Sequence, residues 1–423
     1  MEHYKEVAVH EIKKFLEHLL IFLKWMAVSL FTGLVAGALG TLFSYGLSGV
    51  TSFRLSHGKI IWLLPVAGLL INFFYEKFGN RIGRGTNMAL SAINSDSEIP
   101  FVIVPVIFVS SILSHLFGAS VGREGAALQM GAGIGNALAN ILKFNENDKK
   151  LLIMTGMSAA FSALFGTPLA AAVFSMEVIS VGIMHYAALV PCLVSALTAM
   201  NFAKFCGVVY ADYGNMEIPE FTLFTSTVSV VLGFLFALVS IGICAVFALS
   251  ERGFARLFTN SYVRVFLSGL FIAVCTFVIG NQNYNGLGSD MIHMALSGNT
   301  VWYAFLIKLI FTAVSLSGGY KGGEIVPILF IGATFGCLIS QFIGMPPELC
   351  AALGMTAVFC GVTNTPISSL LIGIEMFHGQ GMWFFALVIA VSYMLSGYYG
   401  LYKSQLIMYS KYRSAYVRKN ALR

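Results

Sequence analysis

The stretch Gly156-Met-Ser-Ala-Ala-Phe161 decides the fold, because it recurs 198 residues later as Gly354-Met-Thr-Ala-Val-Phe359. Four other segments recur in the same order, at offsets between 198 and 203 residues. The chain therefore consists of two homologous halves, which we place at 20–205 and 222–402. The other recurring pairs are Gly83–Met88 with Gly286–Met291, Gly122–Gly125 with Gly322–Ile325, Gly166–Leu169 with Asn364–Ile367, and Glu177 with Glu375.

The composition indicates a membrane protein. Of the 423 residues, 57% are hydrophobic and 10% are charged, whereas soluble domains carry charge on about a quarter of their residues. Spanning segments must satisfy their own backbone hydrogen bonds, so we expect an all-α polytopic protein. Shorter apolar runs such as Met154–Phe165 and Met355–Val362 suggest broken helices. The long runs are Leu19–Leu47, Ile99–Leu116, Ile183–Ala203, Thr222–Leu249 and Val301–Leu316.

The chain has a net charge of +6, and its basic residues cluster near its two ends. This is the pattern of a multi-pass protein of the cell membrane with both termini in the cytoplasm, not of a nucleic-acid-binding surface. We therefore expect an amphipathic cytoplasmic segment at 1–19, a linker at 206–221 and a basic cytoplasmic tail at 403–423. No cleavable signal is predicted. The seven cysteines lack CxxC spacing, and we expect no metal or other cofactor.

Four motifs rich in Gly or Pro open or interrupt apolar runs. They are Gly83–Asn87, Gly122–Ala126, Gly322–Pro327 and Thr363–Pro366. Helix amino termini carry unpaired N–H groups and about half a positive charge, which suits a small anion. Repeated halves in transporters commonly place such broken helices around a midplane site. The sequence therefore predicts an anion path between the two halves.

The segment Gly118–Gln129 (GASVGREGAALQ) resembles the GREGP signature of CLC chloride channels and transporters. Three further landmarks keep the family's order: GRGTN at 83–87 resembles GSGIP, GGEIVP at 322–327 resembles GxFxP, and Tyr402 lies near the family's anion-site tyrosine. The resemblance covers nearly the whole chain. It implies the CLC fold, in which two inverted halves form one path per subunit of a homodimer. We expect no CBS domains.

Three departures from the chloride-type pattern resemble the fluoride-exporting CLC branch. The central serine of the first motif aligns with Arg84 when the flanking glycines are kept in register. Glu177 matches the first acid of the family's LxxEE-like helix, but Val178 replaces the second. In the third motif, Glu324 precedes Ile325, which stands where the family has phenylalanine.

The first motif leaves open which residue stands at the position of the family's central serine. The fluoride branch often has methionine at the serine position, and Arg84 is not methionine. In another register, Asn87 or Met88 would be nearer the ion.

The resemblance assigns Glu124 as the external gate and proton carrier. Charged, such a glutamate occupies the anion path; protonated, it leaves the path and carries the proton. A buried carboxylate suits reversible protonation. The structural alternative is a glutamate held at a helix start by backbone N–H groups, and the two roles are compatible.

Glu324 holds the mirror position in the second half. In the resembled branch this glutamate lies near the fluoride path and is required for coupling. The alternative is an ion pair with Lys321 or Lys308. An ionisable group within an apolar run indicates a functional site.

The predicted anion-binding residues come from four segments. Tyr402 is preferred to Tyr398 and Tyr399, because a phenol can donate a hydrogen bond to a halide without bringing a positive charge; the alternative for all three is interfacial anchoring. At Ile325 and Val326 the backbone N–H groups are the better candidates. The full set is Gly83, Arg84, Gly85, Thr86, Asn87, Met88, Gly125, Ala126, Ile325, Val326 and Tyr402.

We assign mainly structural roles to the other polar residues. We expect Glu177 and Glu375 to bond backbone or polar groups where the half-helices meet. Arg123 either attracts anions or forms a salt bridge. His115 is read as a packed, hydrogen-bonded histidine.

The sequence thus predicts a fluoride/proton antiporter. The substrates are fluoride and a proton, and the partners are the lipid bilayer and a second copy of the chain. One alternative is a chloride/proton antiporter or passive chloride channel of the same fold. Another is an intramembrane enzyme using Glu124 and Glu324 as an acid/base pair, but no HExxH or Ser/His motif supports it.

Overall fold

The polypeptide folds mainly into α-helices, as its composition predicts. The computed structural model describes residues 2–79, 85–95, 97–211, 213–214 and 216–422. Within these residues there are sixteen α-helices. They are α1 (Glu2–Ser56), α2 (Leu64–Gly79), α3 (Thr86–Ser95), α4 (Ile103–Phe117), α5 (Glu124–Ile141), α6 (Glu146–Phe165), α7 (Pro168–Glu177), α8 (Leu189–Phe205), α9 (Leu223–Leu257), α10 (Ser261–Ile279), α11 (Ser289–Leu296), α12 (Ala304–Gly318), α13 (Ile325–Ile343), α14 (Pro347–Thr363), α15 (Pro366–Met376) and α16 (Met382–Leu395).

The chain contains both full-length and short apolar helices. In the described residues, six helical segments are long and apolar enough to cross a bilayer, and six further apolar helices have only 10–17 residues. At 1.5 Å per residue, the 10-residue helix α7 extends about 15 Å, half the hydrocarbon thickness. Short, broken helices are therefore present, but the two runs that suggested them are longer helices: Met154–Phe165 belongs to the 20-residue α6 and Met355–Val362 to the 17-residue α14.

The two halves repeat the same helix packing. The most extensive helix pairs are α5 with α6 in the first half and α13 with α14 in the second. A Cβ added to Gly131 would lie 2.2 Å from the carbonyl oxygen of Gly156, and one added to Gly332 would lie 2.2 Å from that of Gly354. Only glycine permits this contact between backbones, so the glycines that begin the repeated stretch also fix its packing.

Two short helices, α7 and α15, join the halves through reciprocal caps. The Glu177 carboxylate, at the end of α7, binds the amino end of α15, and the Glu375 carboxylate of α15 binds the amino end of α7. These bonds confirm the predicted structural contacts of both glutamates. The donors are the N–H groups of Ile367 (3.0 Å) and Ser368 (2.9 Å) to Glu177, and those of Leu169 (2.9 Å) and Ala170 (2.8 Å) to Glu375.

The chain's C-terminal segment forms a small sheet with the first half. Strand β1 (Ser180–Val181) pairs in parallel with β2 (Leu406–Tyr409), which pairs antiparallel with β3 (Tyr416–Asn420). These strands are not predicted from the sequence. They fasten the basic tail to the segment that follows α7, and so bring residues 401–405 against the first half.

Candidate functional site

Two glycine-rich loops meet where α5 and α13 begin. Gly122 donates its N–H to the Gly323 carbonyl at 2.5 Å, and Gly323 donates its N–H to the Gly122 carbonyl at 2.7 Å. A Cβ on Gly323 would lie 2.5 Å from the nitrogen of Gly125, so no larger residue fits the backbone as it stands. The amino ends of two helices, one from each half, therefore lie side by side with their positive ends close together.

Glu124 is the first residue of α5, and its side chain is fully buried. Its Oε2 accepts the N–H of Arg123 at 3.1 Å and that of Val326, in the first turn of α13, at 3.4 Å. Its Oε1 lies 3.3 Å from the Nε of Arg123. The carboxylate thus occupies the position between the two helix starts that is suited to a small anion. Arg123 therefore forms a salt bridge, which was one of its two predicted roles.

The first and third motifs converge on Gly125. A Cβ on Gly125 would lie 2.9 Å from the Cα of Gly323, 3.3 Å from the hydroxyl of Thr86 and 3.5 Å from Oε2 of Glu324. Thr86 begins α3, and Glu324 is the residue immediately before α13. The structure therefore brings together the three loops that the sequence analysis selected separately.

A cavity of about 790 Å³ opens on these residues. Among the predicted site residues, its wall contains Gly85, Thr86, Asn87, Met88 and Glu324. Gly125, Ala126, Ile325 and Val326 are buried and do not line it. The cavity therefore gives access to Glu324 but stops short of Glu124. Its charged lining residues are Glu98, Glu251, Arg264, Lys321, Glu324 and Lys403.

Tyr402 is fully buried, beside the cavity residues Lys403 and Ser404. Ser404 is tied to α3, because its N–H donates to Oδ1 of Asn87 at 2.9 Å. Asn94, two turns along α3, donates to the Ser404 carbonyl at 3.1 Å. The segment that carries Tyr402 is therefore positioned by polar side chains of α3.

Gln405 fixes the other side of this segment. Its Nε2 donates to the carbonyls of Val178 (2.9 Å) and Thr363 (2.7 Å), and its Oε1 accepts from Nδ2 of Asn364 at 2.9 Å. The Gln405 side chain thus connects the tail to both halves.

Asn94, Ser404 and Gln405 are not among the residues predicted from the sequence. The one available signal is that Ser404 and Gln405 come two and three residues after Tyr402.

Two predictions remain: an ion pair of Glu324 with Lys308, and the position of the first motif. The Lys308 alternative for Glu324 is wrong, because the Lys308 amino group instead donates to the carbonyls of Tyr284 (3.1 Å) and Gly286 (2.7 Å). Gly83 and Arg84 lie outside the described residues. The three remaining residues of the first motif, Gly85, Thr86 and Asn87, all line the cavity.

Comparisons with known proteins agree with this geometry. A family model described as "Voltage gated chloride channel" matches residues 67–397. A "Chloride/fluoride channel protein" of Pseudomonas syringae pv. tomato is 36% identical over 398 residues, covering 92% of this chain and 88% of that protein. An "H(+)/Cl(-) exchange transporter ClcA" of Vibrio cholerae is 24% identical over 380 residues, covering 82% and 81%.

Solved structures show the same architecture. A crystal structure of "a CLC-type fluoride/proton antiporter" matches with a TM-score of 0.88 at 33% identity, covering 90% of this chain and 97% of that one. A slow cyanobacterial Cl⁻/H⁺ antiporter matches with a TM-score of 0.78 at 18% identity, covering 88% and 94%, and supports the fold alone.

The chain belongs to the voltage-gated chloride channel family, the CLC family. It is a multi-pass membrane protein with the CLC fold, as the sequence analysis predicts.

Proposed function

We propose that this protein exports fluoride across the cell membrane in exchange for an entering proton. The observation that carries the proposal is the position of two carboxylates at adjoining helix starts. Glu124 is bonded to the N–H of Val326 at the start of α13, and Glu324 is the residue immediately before that helix. A site with two such carboxylates can hold a proton or an anion at nearly the same place.

Glu124 acts as gate and proton carrier in this proposal. When ionised it accepts N–H groups from two loops and fills the anion position, so it excludes fluoride. When protonated it loses most of its attraction for Arg123 and for the helix amino ends. The side chain then leaves, and the N–H groups it releases become available to fluoride. Each movement of the gate therefore exchanges a proton for an anion.

Glu324 couples this exchange to the cavity. It lines the 790 Å³ cavity on one side and approaches Gly125, next to Glu124, on the other. A proton released from Glu124 thus has an acceptor within the same cluster of loops. We assign fluoride binding to the N–H groups of Ile325 and Val326, the Gly85–Met88 segment and the phenol of Tyr402.

The likeness to named relatives favours fluoride over chloride. The relative described as a chloride/fluoride channel protein is 36% identical, and the structure described as a fluoride/proton antiporter is 33% identical. The chloride exchanger of Vibrio cholerae is 24% identical. Val178, where chloride-type members have an acid, is buried at the end of α7, which supports the same choice.

The assembly and orientation belong to the same proposal. Basic residues cluster near both termini, which supports a cytoplasmic location for both. We propose a homodimer in which each subunit has its own path, and the domain boundaries given above.

Ion efflux from liposomes that contain the purified protein tests the selectivity. Fluoride and chloride are measured with separate electrodes on the same preparation. We expect fluoride efflux at least about tenfold faster than chloride efflux, which corresponds to about 1.4 kcal/mol of discrimination. Equal rates would overturn the fluoride assignment and favour a chloride transporter of the same fold.

A further inference from the structure

Lys411, in the turn between β2 and β3, directs its side chain into the protein. Its ammonium group donates to Oδ1 of Asn364 at 2.5 Å, to the carbonyl of Tyr393 at 2.9 Å and to the hydroxyl of Ser396 at 3.2 Å. It also lies 4.2 Å from the centroid of the Tyr393 ring. An ammonium group has three hydrogens to donate, and here each has an acceptor.

These acceptors lie at the carboxyl ends of two helices. Asn364 caps the end of α14 with a φ of +60, and Ser396 caps the end of α16. Tyr393 is in the last turn of α16. The carboxyl end of a helix carries about half a negative charge and favours a nearby cation. Lys411 therefore fastens the tail to the ends of α14 and α16.

Asn364 connects Lys411 to the segment that carries Tyr402. Its Nδ2 donates to the carbonyl of Tyr399 at 3.0 Å and to Oε1 of Gln405 at 2.9 Å. Tyr399 and Gln405 stand three residues before and three residues after Tyr402. Residues 399–405 are called the Tyr402 loop below. One amide side chain thus holds this loop at both of its ends.

The order of donors and acceptors gives Lys411 control over this amide. An ammonium group only donates, so Lys411 requires the oxygen of the Asn364 amide on its own side and leaves Nδ2 facing the loop. Gln405 continues the order, because its oxygen accepts from Asn364 and its Nε2 donates to the carbonyls of Val178 and Thr363. The hydrogen bonds therefore run in one direction, from the tail through the Tyr402 loop.

The residues that follow β3 also bind the Tyr402 loop. The N–H of Gly400 donates to the carbonyl of Leu422 at 2.9 Å, and the N–H of Ala421 donates to the carbonyl of Gln405 at 3.1 Å. These bonds join the backbone of the tail to the loop. Lys411 adds a charged side chain that reaches the loop through Asn364.

We propose that Lys411 is a positioning residue for anion binding: through Asn364 it holds the Tyr402 loop, and so keeps the phenol of Tyr402 in place in the anion path. The inference rests on the proposed function, which assigns anion binding to that phenol. Hydrogen bonds weaken steeply as their distances and angles depart from the optimum. A displaced loop therefore lowers the affinity for the anion.

The substitution Lys411→Met tests this role in liposomes, because methionine is unbranched but has no charge and no donor. Burial lowers the pKa of Lys411 to about 8, so at pH 7 the ammonium form predominates. At that pH we expect the KM of the transported anion to rise at least about fivefold, with the maximal rate unchanged within about twofold. The matched control is Arg413→Met, which removes a positive charge at an exposed position of the same turn. It should leave the KM unchanged.

The Tyr402→Phe background shows whether Lys411 acts through the phenol. In that background Lys411→Met should change the KM by less than about twofold, because the interaction that it supports is already lost. A general structural role would raise the KM by the same factor in both backgrounds, and that result would overturn the proposal. A KM for Lys411→Met equal to that for Arg413→Met would also overturn it.

A second variant, Asn364→Asp, covers the case in which Lys411→Met fails to fold. Aspartate still accepts from Lys411 and tolerates a positive φ, but its carboxylate cannot donate to Tyr399 or Gln405. We expect the same rise in KM for Asn364→Asp. An unchanged KM would contradict the proposal.

Two further measurements separate this inference from the proposed function. Fluoride and chloride are both measured, so a wild type that carries chloride as fast as fluoride overturns fluoride export, while its KM for chloride still reports on Lys411. Hydrogen exchange of the full-length protein in detergent needs no transport. The N–H groups of Leu401 and Gln405, bonded at 2.9 and 3.0 Å within the protein, should exchange at least about tenfold faster in Lys411→Met than in Arg413→Met. Equal exchange in the two variants would overturn the proposal.

Discussion

Gly122 and Gly323 exchange both of their backbone hydrogen bonds, at 2.5 and 2.7 Å. This bridge joins one loop of each half, and each loop places a glutamate at or beside a helix start within two residues. The contact explains why both loops are glycine-rich. It also makes the separation of the two helix starts a property of backbone packing.

Gly323→Ala should damage both folding and transport. The added methyl group would lie 2.5 Å from the nitrogen of Gly125, and overpacking of this kind costs about 1–3 kcal/mol. We expect a lower unfolding temperature in detergent and fluoride efflux reduced at least about tenfold.

The matched control for this substitution is Gly242→Ala. A Cβ on Gly242, within α9, has no neighbour within 4 Å, so the change should leave transport intact and stabilise the helix by about 0.5–1 kcal/mol. The importance of the bridge would be refuted by a Gly323→Ala protein as stable and active as Gly242→Ala.

The reciprocal caps should contribute unequally to stability. Glu177 is 8% exposed and accepts three hydrogen bonds, two from N–H groups and one from the hydroxyl of Ser368. Glu375 is half-buried and accepts two from N–H groups. We expect Glu177→Ala to lower the free energy of unfolding by about 3 kcal/mol and Glu375→Ala by about half as much. Equal losses, measured by thermal unfolding, would contradict this account.

Asn94→Ala should weaken fluoride binding from a distance. Asn94 donates to the carbonyls of Ile179 and Ser404 and so positions the segment that carries Tyr402. Loss of about 1 kcal/mol of hydrogen bonding should raise the KM for fluoride about fivefold, with little change in maximal rate. The control is Asn299→Ala, at an exposed position.

The Asn94 prediction is contradicted if Asn94→Ala leaves the KM for fluoride unchanged while Tyr402→Phe raises it in the same assay. That result would mean that α3 does not position the phenol.

Much of the fold could be predicted from the sequence, because the two halves repeat. Gly156 and Gly354 hold equivalent positions in the two halves, and each lies at a close contact between two helices. Glycine is needed there because the helix backbones touch. The position of Glu124 at a helix start follows from the glycines on either side of it. The structural contacts of Glu177 and Glu375 follow from their symmetric positions in apolar runs.

The tail could not be predicted in this way, because it has no counterpart in the first half. Strand β2 pairs with Ser180–Val181, more than 200 residues away in sequence, and β3 pairs with β2. The polar side chains that hold Tyr402, such as Gln405, act through contacts with both halves. Local sequence patterns do not reveal contacts with residues so distant in sequence. The convergence of Thr86 and Glu324 on Gly125 is likewise visible only in three dimensions.

The most direct test of proton-coupled fluoride export is whether a fluoride gradient moves protons uphill through Glu124. Liposomes containing the protein and high internal fluoride are placed in fluoride-free buffer at equal pH, and the external pH is recorded. Wild type and the control Glu348→Gln, in the first turn of α14, should take up protons as fluoride leaves. Glu124→Gln should still bind fluoride but take up none. Proton uptake by Glu124→Gln at the wild-type rate, or fluoride efflux from wild type without proton uptake, would contradict the account.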